Sequence, residues 1–355
     1  MRETVFEALA PVCPRCLHGA EQRSPLVVAD RLETRADHLW HGTLHCSNPS
    51  CWLEFPVIDG IPIIVADPAA ALANAQSQLL RRDMLPAPIA GVLADALGAG
   101  GEYDLTRQHL SLYAGDHFAD WAPESRPANV VETLSRGFDI LGEIPDGPAI
   151  DLGGSVGRGG WELSRRGLAP VVVADLNIPM MRLGQALALE GHIEIDLRRV
   201  GVVYDRVRID LPEDAGASPD FWAIDAMMLP FTEDAFSLAA AINLVDCVAN
   251  PTAVLSEMAR TLAPGAGAIL STPYDWAPNA TEISLWLGGH SQRGPTAGAS
   301  EPILRQTLLQ AGLPIVGEVL DAPWRLRMHA RAVMEYSLHL LACRRDGGSR
   351  ERPFS

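Results

Sequence analysis

Basic charge, cysteine outside one short segment, and long apolar runs are all scarce in this chain of 355 residues. Arginine and lysine together number 28 against 44 acidic residues, a formal net charge of -16. That balance opposes binding to a long polyanion, and no stretch is rich in basic residues, so nucleic acid is disfavoured as a partner. Arg325, Arg327 and Arg331 form the nearest approach to a basic patch. No apolar stretch reaches the roughly 20 residues that a membrane-spanning helix needs. The opening "MRETVFEALAPVCPRC" meets charge and cysteine too early for a secretory signal. The expectation is a soluble, cytoplasmic protein without a membrane partner. Six cysteines are too few for a disulfide scaffold of this length. A phosphate-binding P-loop is also missing, because no Gly-Lys-Ser/Thr step follows the glycine-rich turn at 153–157. Nor is that turn a good dinucleotide fingerprint, since Ser155 stands where the middle glycine would fall.

Four of the six cysteines crowd into the first 51 residues: Cys13 and Cys16 in "CPRC", Cys46 and Cys51 in "CSNPSC". Each pair suits a tight turn that aims two sulfurs at one ion. Four thiolates in a reducing compartment suit zinc, and a site closed by four protein ligands has no open position for chemistry. The expected role is structural, replacing a core that so short a segment cannot build. Cys247 and Cys343 lie far away in apolar surroundings and read as buried small hydrophobes. In "FPVIDGIPIIV", Asp59-Gly60 favours a turn between two short strands.

The segment from about residue 9 to 66 resembles the zinc-ribbon-like domain of the small activator protein of tRNA and protein methyltransferases. The resemblance rests on the paired cysteines, on Gly42 and Leu44 before Cys46, and on the run Phe55, Pro56, Val57, Ile58, Asp59, Gly60, Ile61 and Pro62. Such units are often fused to methyltransferases. Beyond this unit, taken as residues 1–67, "DPAAALANAQSQLLRRD" reads as a helix capped by Asp67 with Pro68 in its first turn. "APIAGVLADALGAG" reads as a second, and residues 68–104 are expected to form a helical connector.

The remaining span, 105–355, reads as an α/β domain. "PAIDLGG" is a buried strand, and "GRGGWELSRRG" opens a helix after small residues that admit a ligand to the backbone. The next strand, "APVVVADLN", carries Asp175, an acid positioned to accept both hydroxyls of a ribose. A later candidate strand, "DFWAIDAMMLPF", carries Asp225-Ala226, a fourth spans residues 236–243, and "PTAVLSEMARTLAPGAGAILSTPYDW" gives a helix, a Pro-Gly turn and a fifth strand. The alternating stretch at 191–212 reads as a β-hairpin insertion. Upstream, Tyr113 and His117 belong to a helix and loop suited to a lid.

Taken in order, these features resemble a class I S-adenosylmethionine-dependent methyltransferase. The resemblance implies a Rossmann-like fold with a mostly parallel seven-stranded sheet. It assigns the loop Asp151, Gly153, Ser155, Gly157 and Arg158 to the cofactor's methionyl part, Asp175 and Leu176 to the ribose side, Asp225 and Ala226 to the adenine, and Asn243 to the same cleft. A narrower set of motifs is similar to the methyltransferase domain of ovothiol-biosynthesis enzymes: "DLGGSVGR", "INLVD", "TPYDW", "WLGG" and "WRLRMHARAVMEYSLHLLACRR". That resemblance implies N-methylation of an imidazole in a thiolated histidine. The chain departs from the family by lacking an iron-dependent sulfoxide synthase part and by having Gly154 where a cysteine is usual.

Methyl transfer from a sulfonium needs an aligned nucleophile and no acid. If the acceptor is imidazole, one ring nitrogen presents its lone pair and the other donates its proton to a fixed acceptor. Asp246 is the candidate for that role, with Asp275 behind it. Tyr274, Asn243 and Trp276 stand at strand exits where binding residues gather, while Arg327, His329 and Arg331 are candidates for holding a substrate carboxylate. Trp286, His290 and Trp324 are further aromatic candidates that a packing role also explains. The competing readings are an RNA base methyltransferase, a methyltransferase of another small natural product, and a cofactor-binding scaffold. The sequence leaves oligomeric state open.

Overall fold

Two antiparallel pieces flank a parallel core, and backbone pairing joins all three in the computed structural model, which describes residues 1–80 and 85–346. Helices α1 (Glu3–Leu9) and α2 (Pro14–Ala20) precede strands β1 (Leu26–Arg35), β2 (His38–Cys46), β3 (Glu54–Ile58) and β4 (Ile61–Ile64). These strands form an antiparallel meander. Its last turn places Asp59 and Gly60 at φ 54° and 76°, the left-handed pair whose twist matches a two-residue hairpin. The expected connector helix breaks at Ala75 into α3 (Pro68–Asn74) and α4 (Gln76–Leu80), and the Asp67 side chain accepts the Ala70 amide as cap. Residues 81–84 of the connector and 347–355 of the expected final span lie outside the described residues.

Helices α5 (Ala87–Leu97), α6 (Glu102–His117) and α7 (Asn129–Leu141) lead into the alternating core. The core runs β5 (Ala149–Leu152), α8 (Arg158–Arg165), β6 (Val171–Asp175), α9 (Ile178–Glu190), β7 (His192–Val200), β8 (Val203–Asp210), β9 (Asp220–Ile224) and β10 (Phe236–Ile242). It continues with α10 (Pro251–Thr261), β11 (Leu262–Thr272), α11 (Glu301–Ala311), β12 (Ile315–His329) and β13 (Ala332–Arg344). Strands β9, β6, β5, β10 and β11 are parallel neighbours, and β13 enters antiparallel beside β11 with β12 at the edge. Strand order reverses between β5 and β10, the kind of switch point above which open α/β sheets hold ligands.

The expected methyltransferase domain contributes seven strands (β9, β6, β5, β10, β11, β13 and β12), and the sheet extends to eleven because the fully buried β4 pairs parallel with β9 through Ile63–Ala223 and Ile64–Ile224. The edge amides of the core are thereby satisfied by the N-terminal meander. The Pro-Gly passage is not a free turn before β11. The strand starts at Leu262 and runs through Pro264 and Gly265, with a bulge that moves its partner from Leu262–Phe236 to Gly267–Leu238.

Strands β7 and β8 form a separate two-stranded ribbon. Helix α6 clamps it: Arg107 bonds Asp196 at 2.9 Å and lies over the Tyr204 ring at 3.9 Å, while Ser111 Oγ accepts the Arg198 amide at 2.7 Å. The β12–β13 hairpin projects past the end of β11, whose last partner is His339, and continues to its tip at His329–Ala332. There the Ala330 amide donates to Arg199 of the ribbon at 3.2 Å. Helix, ribbon and hairpin are therefore connected on the C-terminal side of the parallel strands.

Candidate functional site

Strand β5 delivers Asp151 and then a loop that has to be small. At Gly157, φ is 89° and a Cβ would lie 2.4 Å from the Phe221 ring. At Gly159 a Cβ would lie 2.4 Å from the Asp151 carboxylate, which sits beneath the start of α8 and accepts the Gly160 amide. Burial, and then the charge of Asp175, push the Asp151 carboxyl up to about 7. Asp151 thus braces the loop from below.

Ser155 holds a left-handed conformation at φ 56°. Its amide donates to Asp175 Oδ2 at 2.9 Å, and its hydroxyl bonds the Met180 thioether. Asp175 Oδ1 accepts the Asn177 amide at 2.8 Å, so the carboxylate at the end of β6 is oriented by two backbone donors. Leu176 beside it is 53% exposed, an apolar surface left open at the strand end. Asp225 follows β9 and takes the Met227 amide at 2.9 Å, with Ala226 packed against the core. Asn243, left-handed at φ 54°, accepts Ser271 Oγ–H at 2.8 Å and ties the exits of β10 and β11 together.

Asp246 lies on a short 3-10 turn just past β10 and is 1% exposed. Its Oδ2 accepts the Asp275 amide at 2.8 Å, and its Oδ1 has no protein partner. Burial dominates its titration and raises the carboxyl to about 6, against the hydrogen bonds of nearby amides and Thr272. Asp275 is exposed at the exit of β11, and Tyr336 on β13 donates its hydroxyl to Asp275 Oδ2 at 3.2 Å. Tyr113 on α6 is 38% exposed, and its phenol is raised by partial burial and then by neighbouring Cys247, Asp175 and Asp246. Beside it, His117 packs its ring edge-on at 6.3 Å and is buried, which lowers its imidazole to about 4 and keeps it neutral.

The other candidates go elsewhere. Arg158 is not open to the cleft: its guanidinium bonds both oxygens of Asp120 and stacks over Trp121 at 4.3 Å. The Tyr274 hydroxyl is bonded to His339 Nδ1, whose Nε2 meets Glu318 at 2.9 Å. Trp276 is buried, stacked on Trp286 at 5.9 Å, so both indoles pack the wall behind the site. His329 accepts the Arg331 amide and closes the hairpin tip, where Arg331 is exposed. Arg327 is exposed on β12, out of phase with the buried Trp324 and Leu326. His290 bonds Ser291 on an exposed loop. Cys343 is buried, but Cys247 is exposed at the cleft, contrary to the expected small core residue. Tyr336 was not singled out by the sequence, because its partner Asp275 lies 61 residues away and only the β11–β13 pairing brings them together.

The four N-terminal cysteines converge as their spacing requires. All four sulfurs lie within 4.8 Å of one another, and none forms a disulfide. The Cys13–Cys51 and Cys16–Cys46 separations of 3.9 and 3.7 Å match the edge of about 3.8 Å expected for a tetrahedron of metal–sulfur bonds near 2.3 Å. Asn48 donates its amide to Cys46 and its side chain to Cys16, bonds that favour thiolate. The residues fit a metal ion. The helix bearing Cys16 also carries His18, whose Nε2 meets the Leu229 carbonyl at 3.1 Å, just beyond Asp225. The Val12 amide holds the Pro230 carbonyl at 2.9 Å.

Residues 150–270 match the family described as a methyltransferase domain. No curated protein sequence gives a significant match. Among solved structures, a SAM-dependent methyltransferase from Methanosarcina mazei is 18% identical, covering 56% of this chain and 92% of its own, with a TM-score of 0.37. YcgJ from Bacillus subtilis is 12% identical over 61% of this chain and 99% of its own, with a TM-score of 0.42. A chain from the complex of the Haloferax volcanii Trm112 methyltransferase activator with a methyltransferase is 16% identical, covering 65% and 98%, with a TM-score of 0.37. Similarities at this level carry no substrate or partner across. Among the described residues no helix is long and apolar enough to cross a membrane. The family match falls on the strand–loop–helix core of the α/β Rossmann-like sheet, so residues 150–270 form a methyltransferase domain.

Proposed function

We propose that the enzyme methylates an imidazole nitrogen of a small histidine-derived molecule, thiolated histidine included. The observation that carries this reading is Asp246: a buried carboxylate with one unpartnered oxygen, at the exit of the strand next to the loop after β5. An imidazole needs such an acceptor for the N–H opposite its nucleophilic nitrogen. The connected arch of α6, ribbon and hairpin favours a small acceptor over a polynucleotide.

In this reading the bound cofactor supplies an electrophilic methyl group on sulfur. The Gly153–Gly157 backbone accommodates its methionyl end, Asp175 takes the ribose hydroxyls with lone pairs left over from its two amide bonds, and Leu176 and Ala226 flank the adenine near Asp225. Arg158 acts from outside the cofactor, holding the start of α8 against Asp120. Asp246 keeps the acceptor ring in the reactive tautomer and takes its proton. Asn243 braces the two strand exits, and Tyr274 and Trp276 support the wall. Arg327 and Arg331, on the exposed hairpin, remain the candidates for an acceptor's carboxylate, with His329 fixing the tip. The N-terminal cysteines hold a structural zinc ion.

The test is methyl transfer from labelled S-adenosylmethionine to separate pools: plain and thiolated histidine derivatives, other small thiols and amines, and total RNA. Label in the histidine derivatives is expected. Label confined to RNA would overturn the acceptor and favour the RNA reading. Independently, Asp175→Ala is expected to raise the dissociation constant for S-adenosylhomocysteine by about 10- to 100-fold, since hydrogen bonds involving a charged group contribute roughly 1.5–3 kcal/mol. Calorimetric titration checks this, and an unchanged affinity would remove Asp175 from the ribose.

A further inference from the structure

The acceptor end of the cleft is acidic and aromatic at once. Asp246 and Asp275 sit side by side at the exits of neighbouring strands, joined by the Asp275 amide on Asp246 Oδ2. Tyr336 bonds the second carboxylate from β13, and Tyr113 on α6 is near enough to Asp246 and Asp175 for their charges to raise its phenol. Burial and the adjoining Asp275 push the Tyr336 phenol up to about 12, so it stays a neutral donor. Neither carboxylate has an ion-pair partner among the described residues, and the chain contains no lysine. Asp246 Oδ1, buried and unpartnered, is a second sign that a donor from outside the protein belongs here.

We propose that Asp275 and Tyr336, together with Asp246 and Tyr113, form a charge-selective acceptor subsite that takes a nitrogen nucleophile whose methylated form is cationic and disfavours anionic acceptors such as carboxylates and phenolates. The proposal rests on the methyl-transfer reading above and specifies the acceptor's charge. In the reaction the carbon–sulfur bond breaks with its electron pair going to sulfur, and a nitrogen lone pair forms the new carbon–nitrogen bond. Positive charge leaves the sulfonium and appears on the acceptor ring. The proton on the other ring nitrogen then passes to Asp246, leaving a neutral methylated product. Two carboxylates in a partly buried site stabilise the cation along this path and repel an anion brought to the same place. The two phenols add ring faces that attract a cation. The bond from Tyr336 fixes the orientation of the exposed Asp275 carboxylate.

The test uses the full-length protein with S-adenosylhomocysteine and two probes, 1,3-dimethylimidazolium and acetate, titrated at fixed ionic strength and followed by saturation-transfer NMR. The cation is expected to bind and acetate not to bind. Asp275→Asn is expected to weaken the cation at least 10-fold and Tyr336→Phe about 3-fold, while Asp275→Glu retains most of the binding. S-adenosylhomocysteine affinity should stay within twofold in all three variants, which also reports that each is folded. Equal binding of acetate, or a cation affinity indifferent to Asp275→Asn, would overturn the subsite. Failure of the wild-type protein to bind S-adenosylhomocysteine would instead count against the methyl-transfer reading, and the cation titration repeated without that ligand decides the subsite separately.

Discussion

Asp246→Asn is expected to lower kcat/KM for the methyl acceptor by about 100- to 10,000-fold, the range associated with a positioned proton acceptor. The variant keeps the shape and the bond from the Asp275 amide to the side chain. What it loses is the negative charge and the ability to take a proton. Because burial raises this carboxyl to about 6, the base is ionised above that value and protonated below it. Activity of the wild-type enzyme should therefore fall as pH drops through about 6, and in the variant only the part of this limb that comes from protonation of the imidazole acceptor itself should remain. S-adenosylhomocysteine affinity should change little, because the cofactor contacts assigned above lie on other strand ends. A pH–rate profile alongside calorimetry checks all three. A variant with wild-type rates and the same acid limb would move the proton acceptor elsewhere.

Stripping the metal from the cysteine cluster should have the largest effect on stability. Structural zinc contributes roughly 10–16 kcal/mol to folding in isolated zinc-finger peptides. Here the meander is also held by its pairing with β9, so only part of that stabilisation is lost. A loss of about 4 kcal/mol would lower Tm by roughly 5 °C in a chain of this size. Cys16→Ser, or chelator treatment of the wild type, is expected to show this drop together with loss of bound metal. The effect should reach the cofactor. Helix α2 carries both Cys16 and His18, and His18 meets the Leu229 carbonyl while Glu257 takes the Leu229 amide at 2.9 Å. Both hold the segment that follows Asp225. S-adenosylhomocysteine affinity should fall about 10-fold without metal. In His18→Ala it should fall about 3-fold with metal content intact. If the metal-free protein binds S-adenosylhomocysteine normally, the cysteine unit is only an independent structural brace.

Local chemistry determined much of this protein from the sequence alone. Buried strands at 149–152 and 171–175, each followed by a helix, required a parallel α/β sheet, because neither strand has a polar face. The crowding of glycines after Asp151 marked a backbone that must pass close to other atoms, and the packing of Gly157 on Phe221 and of Gly159 on Asp151 explains it. The four cysteines announced their cluster because two short turns suffice to converge their sulfurs.

Tertiary structure decided what local pattern cannot encode. Whether a polar side chain at a strand exit is free depends on partners far away in the chain. Tyr274 and Asp246 looked alike as candidates, yet His339 takes the Tyr274 hydroxyl and nothing in the protein takes Asp246 Oδ1. Arg158 looked like part of the loop until Asp120, 38 residues earlier, claimed its guanidinium. The merging of the meander with the core needs β4 and β9 to pair across about 160 residues, an event with no local signature. The proposed acceptor subsite depends on the same effect: Asp246, Asp275 and Tyr336 come from two strand exits and a returning antiparallel strand, and only the sheet brings them within bonding distance.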